Sequence, residues 1–422
     1  MNILTHPVHT GYQYDLAKTG HEFYSIEIPG SNEVFWDQKS RPLPKNYHRI
    51  EALRDAPVTF DLILVHFDLG YNSLKALDLP LIFKEHCLRE PFVVPKSWLD
   101  RISYYCFASQ AAATRWILPN EESYRKAIIG MGMDMSTYKD HDGTGEDVLV
   151  VGQHIRSRGN EKGRDNLLQL SKQFNITVVG RGSEGLPGGR GPAANYEQLL
   201  EYYRSHKVFL NPSGILGMST LEAMATGMPV VTFRTVNSDL IQNGVNGLIV
   251  DTVAEAEVAI AGLLRDNHLS KQLGTNARQS IQERFRSDIF IQRWNTLFRQ
   301  AVYEYHCLAE PLAWKPFDLN SKSPEERTVA QSIIDTMFEY QRVGFDKRTI
   351  TFQSDGRIGK GAAGCERFWD LKTDHDQIFL EISSGSNLTC RLELDPDGIW
   401  KGRWFVFEKM PIHLAPLSRQ HT

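Results

Sequence analysis

Short apolar runs separated by longer mixed stretches set the rhythm of most of the chain. Asn2–Thr5, Glu22–Ile28, Asp61–Val65, Leu81–Lys84 and Tyr105–Ala108 read as strands. The stretches between them are long enough for helices, which predicts a parallel sheet. The rhythm restarts at Val148-Leu-Val-Val-Gly152 and runs through Ile176-Thr-Val-Val-Gly180, Val208–Leu210 and Val230–Phe233. From Leu248 to about Tyr305 the period is helical, ending in an amphipathic stretch rich in Phe, Trp and Arg. After Pro316 the pattern changes: 325 to 343 reads as one more helix. From about Lys347 apolar and polar residues alternate, with turn signals at Asp355-Gly356 and Asp397-Gly398. Antiparallel strands are expected at Thr349–Phe352, Ile378–Ile382, Leu388–Leu394 and Trp400–Phe407. Trp369, Trp400 and Trp404 fit a small β core better than a sugar-stacking face. The expected division is 1–143 and 144–310, two α/β domains, followed by 320–422, a helix with a small all-β domain.

The segment Val208 to Phe233 is the most informative. A buried strand leads into a loop with Pro212, Gly214 and Gly217, then a helix, then a second strand. Ser219 with Glu222 three residues on fits a capping box. Leu221, Met224 and Ala225 give an apolar face, and Gly227 with Pro229 marks the helix end. A strand, a glycine loop and a helix N-terminus form a natural anion site, because free N–H groups and the helix dipole converge there.

Composition narrows the classes. At 422 residues, 41% hydrophobic and 23% charged, the chain is long enough for two or three cores and is neither disordered nor coiled coil. A net charge of −4 gives no general attraction to nucleic acid. Cys87, Cys106, Cys307, Cys365 and Cys390 are scattered without C-x-x-C spacing, which suits a reducing compartment better than a zinc site or disulfide framework. Met1-Asn-Ile-Leu reads as a first strand and not a signal peptide. No apolar run reaches the roughly 20 residues that span a bilayer. A cytoplasmic protein is expected.

Histidines gather at strand ends: His6 and His9 after the first strand, His66 after Leu62–Val65, His86 after Leu81–Lys84. In open parallel sheets ligands bind beyond the carboxyl ends of strands, so several histidines on one rim carry more weight than any one alone. Arg156, Arg158, Lys162 and Arg164 crowd the loop after Val148–Gly152 and suit an anion, or else a solvated basic face. Gly180-Arg-Gly182-Ser-Glu-Gly185 is formally G-x-G-x-x-G, but Leu186-Pro187-Gly188-Gly189 leaves no room for the helix a dinucleotide needs. The pair Asp140 and Asp142 sits in a polar linker and not at a strand end, so no metal site is expected.

The Pro-Ser, glycine loop and Leu-Glu-Ala-Met-Ala-Thr-Gly-Met-Pro-Val-Val sequence resembles the nucleotide-sugar segment of retaining GT-B glycosyltransferases of family 4. Asp239-Leu-Ile-Gln-Asn-Gly-Val-Asn-Gly-Leu-Ile-Val-Asp251 and Glu161-Lys162-Gly163 are similar to two further landmarks of that family, in the same order. Ala127-Ile-Ile-Gly-Met-Gly-Met-Asp134 resembles its crossing between domains. The resemblance implies two Rossmann-like domains, a nucleotide-diphosphate sugar on the second, an acceptor approached from the first, and the helix ending near Tyr305 returning to the first domain. It implies transfer with retention, no obligatory metal and no separate cofactor. It places Lys162 and one of Arg156 and Arg158 on the diphosphate, with Gly217, Met218, Ser219 and Thr220 as the cradle beside the Gly182 turn. Glu222 matches the second Glu of the E-x7-E motif, which holds ribose hydroxyls, and His86 matches the histidine at the donor sugar. His9, Gly11 and His66 fall on the acceptor side. The first Glu of the motif is replaced by Gly214. A glycan or lipid-linked acceptor follows, with peripheral contact at the inner membrane face. A silent GT-B partner subunit and a nucleotide-sugar epimerase are the alternatives.

Overall fold

The computed structural model describes residues 1–119, 125–138, 141–143, 145–235, 240–309, 316–375, 377–385, 387–405 and 410–417. Asp140, Thr144, Asp239 and Glu310 lie outside them, as does the end of the strand expected at Trp400–Phe407.

The N-terminal domain contains β1 (Asn2–Thr5), α1 (Thr10–Ala17), β2 (Glu22–Ile26), β3 (Tyr47–Ile50), β4 (Leu62–Val65), α2 (Asp68–Leu74) and β5 (Leu81–Glu85). It continues through β6 (Phe92–Val93), α3 (Lys96–Leu99), β7 (Tyr104–Phe107), α4 (Gln110–Arg115), β8 (Trp116–Ile117) and β9 (Lys126–Ile128). Seven strands pair in parallel in the order β3-β2-β1-β4-β5-β7-β9. Leu62, Ile63, Leu64 and Val65 are all wholly buried, as a central strand covered on both faces requires.

The second domain repeats the plan with β10 (Val148–Val151), α5 (Ile155–Arg158), α6 (Arg164–Leu170), β11 (Ile176–Val179), β12 (Gly189–Gly191) and α7 (Tyr196–Ser205). Then follow β13 (Val208–Asn211), α8 (Met218–Thr226), β14 (Val230–Phe233), β15 (Leu248–Val250), α9 (Val253–Arg265) and α10 (Asn267–Arg284). Its parallel sheet runs β12-β11-β10-β13-β14-β15. Residues 181–188 turn directly into the short strand β12, so the G-x-G-x-x-G stretch starts no helix.

The chain crosses between domains at Ile129–Met133, where the Met133 N–H donates to Phe285 O at 2.7 Å. It crosses back on α11 (Ser287–Ala309). The stripe Phe290, Trp294, Leu297, Phe298 and Ala301 packs with Ile3, Tyr12, Phe23 and Leu62 in the N-terminal core. The returning helix is as expected.

The last unit is α12 (Pro324–Ile333) and a seven-stranded antiparallel sheet. Its strands are β16 (Met337–Arg342), β17 (Asp346–Thr351), β18 (Phe368–Asp374), β19 (Gln377–Ser383), β20 (Leu388–Leu394), β21 (Trp400–Trp404) and β22 (Pro411–Pro416), ordered β17-β16-β22-β21-β20-β19-β18. Trp369, Trp400 and Trp404 are each no more than 3% exposed, so they fill the core. The helix expected over 325–343 ends at Ile333. Met337–Arg342 pairs with β17 and β22 instead, its Phe338, Tyr340 and Arg342 facing in. Good helix formers there are overruled by an alternating pattern that only a strand can bury on one face.

Candidate active site

The loops beyond the carboxyl ends of the two parallel sheets come together, Arg181 pairing with Asp37 at 3.6 Å and Arg41 with Glu222, and the candidate cleft lies between these loops. On the second domain, β13 leads into a loop that orders itself. Asn211 Nδ2 donates to Ile215 O at 3.0 Å and to Thr220 Oγ1 at 3.3 Å, Ser213 Oγ donates to Asn211 Oδ1 at 3.1 Å, and the Ile215 N–H reaches Ser213 Oγ at 3.2 Å. Helix α8 then starts at Met218 with Gly217 as its N-cap and no side chain closing it. The expected capping box is absent. Ser219 lies inside the first turn, and the Glu222 side chain points away to other partners. Open N–H groups at a helix start suit an anion. The Met218 and Thr220 side chains are buried, so these residues can offer only backbone, and the Thr220 N–H already donates to Gly217 O at 3.1 Å. Ser219 is half-buried.

The basic loop packs onto this one. Gly163 has φ +70°, and a Cβ there would collide with Pro212 O, so only glycine lets the two loops meet. Asn166 Nδ2 adds a hydrogen bond to Pro212 O at 3.0 Å. Lys162, just before Gly163, is half-buried and has no hydrogen bond or ion pair among the described residues. Partial burial, and then the neighbouring Arg158 charge, lower its pKa. Arg158 is exposed and paired with Glu161. Arg156 is exposed beside Gly185, and Gly182, with φ +74°, lies against His154.

On the N-terminal side, β1, β4 and β5 bring His6, His66 and His86 together. His66 Nδ1 lies 3.0 Å from His86 Nε2, and the His66 N–H donates to His6 Nε2 at 3.0 Å. Burial, and then neighbouring histidines and Lys84, hold His66 well below the usual histidine range; burial, then Lys84, His9 and His6, do so for His86. Burial brings His6 down to about 4. His9 caps the start of α1 and remains exposed while Glu222, Arg41 and Arg181 act on it from around the cleft. Gly11 is buried against His9 and Arg41. The rims are close: Lys162 and Arg158 act on the thiol of Cys87, the residue after His86, against the burial that raises it.

Glu222 is 4% exposed and its carboxylate is taken. It accepts from Arg41 of the N-terminal domain, from Tyr138 Oη at 3.1 Å and from Tyr203 Oη at 2.8 Å. Arg41 is itself 2% exposed, stacked 4.1 Å over Tyr196. Burial alone would lower its pKa; Glu222 and the tyrosines reverse that. The sequence reading missed Arg41, Tyr138, Tyr203, Asn211 and Ser213. Asn-Pro-Ser after a strand is a turn signal that could have exposed the last two; nothing local marks Arg41. Gly214 has φ +71°, and a Cβ would strike Phe233 O. Its backbone admits no side chain where the resemblance has a glutamate.

Comparison with known proteins agrees with this architecture. Residues 145–266 match the family described as Glycosyl transferases group 1. N-acetyl-alpha-D-glucosaminyl L-malate synthase of Bacillus anthracis is 34% identical over 95 residues, 22% of this chain and 25% of that protein. Poly(ribitol-phosphate) alpha-N-acetylglucosaminyltransferase of Staphylococcus aureus (strain COL) is 30% identical over 86 residues, 19% of this chain and 17% of that one. The matches thus span a quarter or less of the curated relatives. HepE of Anabaena, solved with UDP-glucose, superposes with a TM-score of 0.54 at 17% identity, covering 70% of this chain and 99% of that one. The fold is GT-B with an added C-terminal β domain, and its second domain carries the group 1 glycosyl transferase match. Among the described residues no helix is long and apolar enough to cross a membrane.

Proposed function

We propose that this protein is a glycosyltransferase that moves a sugar from a nucleotide-diphosphate sugar to a glycan or glycolipid-type acceptor with retention at the anomeric carbon. The observation that carries the reading is the cleft itself. The open start of α8 and the Lys162 ammonium converge on one rim, and the His86 imidazole stands on the other. The departing diphosphate gains negative charge as the glycosidic bond breaks, and preorganised N–H dipoles with a cation stabilise that charge most where water is excluded. The same cation makes a metal unnecessary in this proposal, and no cofactor beyond the donor is invoked. HepE binds UDP-glucose in its crystal form, and two relatives transfer or join N-acetylglucosaminyl groups by their names. Both support a nucleotide sugar as donor. The acceptor approaches past the exposed His9, with Gly11 and His66 buried behind it, and a lipid-linked acceptor would bring the protein to the inner face of a membrane.

A second reading, a silent sugar-nucleotide-binding subunit, draws support from Gly214 and from the occupied carboxylate of Glu222. Calorimetric binding of nucleoside diphosphates, followed by transfer and hydrolysis assays over a panel of donors with and without EDTA, tests both. The proposal expects binding, transfer unaffected by EDTA and a retained anomer. Binding without turnover of any donor favours the silent subunit. Conversion of the donor itself, without acceptor, points to an epimerase. No binding at all ends the proposal.

A further inference from the structure

The histidine cluster has hydrogen bonds that fix where each proton sits. Thr5 Oγ1 lies 2.9 Å from Leu64 O and 3.2 Å from His66 Nε2. A carbonyl has no proton to give, so the single Thr5 hydroxyl proton must go to Leu64 O. Thr5 therefore meets His66 Nε2 with a lone pair, and that nitrogen carries the hydrogen. In the neutral ring His66 Nδ1 is then an acceptor. The proton on the 3.0 Å bond to His86 belongs to His86 Nε2. His6 closes the set from the other side. Its Nε2 accepts the His66 N–H at 3.0 Å, so its hydrogen is on Nδ1, which donates to Pro7 O at 3.1 Å. Burial first, with Lys84 close by and its Nζ donating to Ile129 O at 2.7 Å, holds both rings well below the usual histidine range, which favours the neutral form. Every assignment agrees with every other.

What remains is His86 Nδ1. It has no partner among the described residues, on a side chain that is still partly exposed at the cleft. We propose that His66 is a positioning residue that locks His86 in the Nε2–H tautomer, so that His86 presents a bare nitrogen to the cleft and takes a hydrogen-bond donor from the substrate. The group it meets is then a hydroxyl, as a sugar supplies, and not a phosphate or carboxylate oxygen. This inference rests on the proposed function only for the identity of the sugar. The tautomer is a property of the free protein.

The test is long-range proton–nitrogen NMR of protein labelled with 15N-histidine, at neutral pH and without ligand. His86 and His66 are expected with hydrogen on Nε2 and His6 with hydrogen on Nδ1. His66→Leu should release His86 into a tautomer mixture and lower turnover about tenfold or more. His66→Asn, whose carboxamide oxygen can accept from His86 Nε2, should restore the tautomer and return turnover to within about threefold of wild type. Donors bearing fluorine, which cannot donate a hydrogen bond, in place of one hydroxyl should lose affinity at a single sugar position. Hydrogen on His86 Nδ1 in the wild-type protein overturns the assignment, as does an unchanged tautomer in His66→Leu. The expected tautomers in a protein that transfers no sugar support the assignment and defeat the proposed function instead.

Discussion

Single residues here hold charge or neutrality against their ordinary tendency, and that makes them testable. Lys162 is a half-buried cation without a protein partner among the described residues. Lys162→Ala should cost about 2.7–4 kcal/mol of transition-state stabilisation, a 10²–10³-fold fall in kcat, the scale for losing one preorganised electrostatic donor. A folded variant with unchanged kcat would remove Lys162 from the reaction. The histidine cluster makes a pH prediction. His6 falls from 6.5 to about 4 on folding, so the unfolded chain binds the extra proton between those values. Stability from His6 is fully present above 6.5 and is lost as the pH falls towards 4, by roughly 3 kcal/mol if the burial is complete. His66 and His86 act in the same direction. Asp15 opposes them: burial raises it from 3.8 to about 6, so its contribution is lost as pH rises through that range. Urea unfolding across this window should show stability declining on acidification, and Asp15→Asn should steepen the decline by removing the opposing group.

At the scale of elements, the βα units were readable because strands covered on both faces are unbroken apolar runs bounded by glycine and proline. The same logic hid β3 and β9, whose Tyr-His-Arg-Ile and Lys-Ala-Ile are edge strands with mixed sequences. It also misread Ser219 and Glu222. Their spacing fits a capping box, but Gly217 starts the helix, and a carboxylate buried one turn in must find donors elsewhere. Those donors come from Arg41, 181 residues away, and no local pattern announces so distant a pairing. The strand-end histidines were visible one by one; that they share protons was not, because the bond runs between strands that only the sheet makes neighbours. The Arg41–Glu222 pair therefore clasps α8 to the loop between β2 and β3. Glu222→Gln should destabilise the protein by about 3–5 kcal/mol, since it leaves the Arg41 guanidinium buried without its counter-charge. Replacing both residues with methionine should recover much of that loss, because a buried pair removed whole leaves no stranded charge. Denaturant unfolding of the two variants decides it. A single substitution without effect would mean that the pair opens to water in solution.

The N-terminal domain and the β domain are joined by α11, which follows directly on α10 of the second domain. Its Phe290–Ala301 stripe lies in the N-terminal core, and Tyr303 packs against the core of the β domain. Between them is a buried polar junction. Tyr104 Oη of β7 is 2.8 Å from both carboxylate oxygens of Glu304, Gln300 Nε2 donates to Glu304 Oε1 at 2.8 Å, and Cys365 Sγ of the β domain lies 3.5 Å from the same oxygen. Glu304 is 6% exposed, so this carboxylate of α11 is the acceptor on which β7 of the N-terminal domain and Cys365 of the β domain converge. The β domain should therefore not melt as an independent module: calorimetry is expected to show it unfolding together with the N-terminal domain. Glu304→Ala removes the shared acceptor: the Tyr104 hydroxyl loses both carboxylate oxygens, while the Gln300 amide keeps Tyr104 Oη. A buried donor left without its acceptor costs about 1–3 kcal/mol. The variant should melt at a lower temperature and resolve the β domain as a separate transition, while the nucleoside-diphosphate binding proposed at the start of α8 keeps its affinity. Two transitions already present in the wild-type protein would show that the junction is contact without coupling.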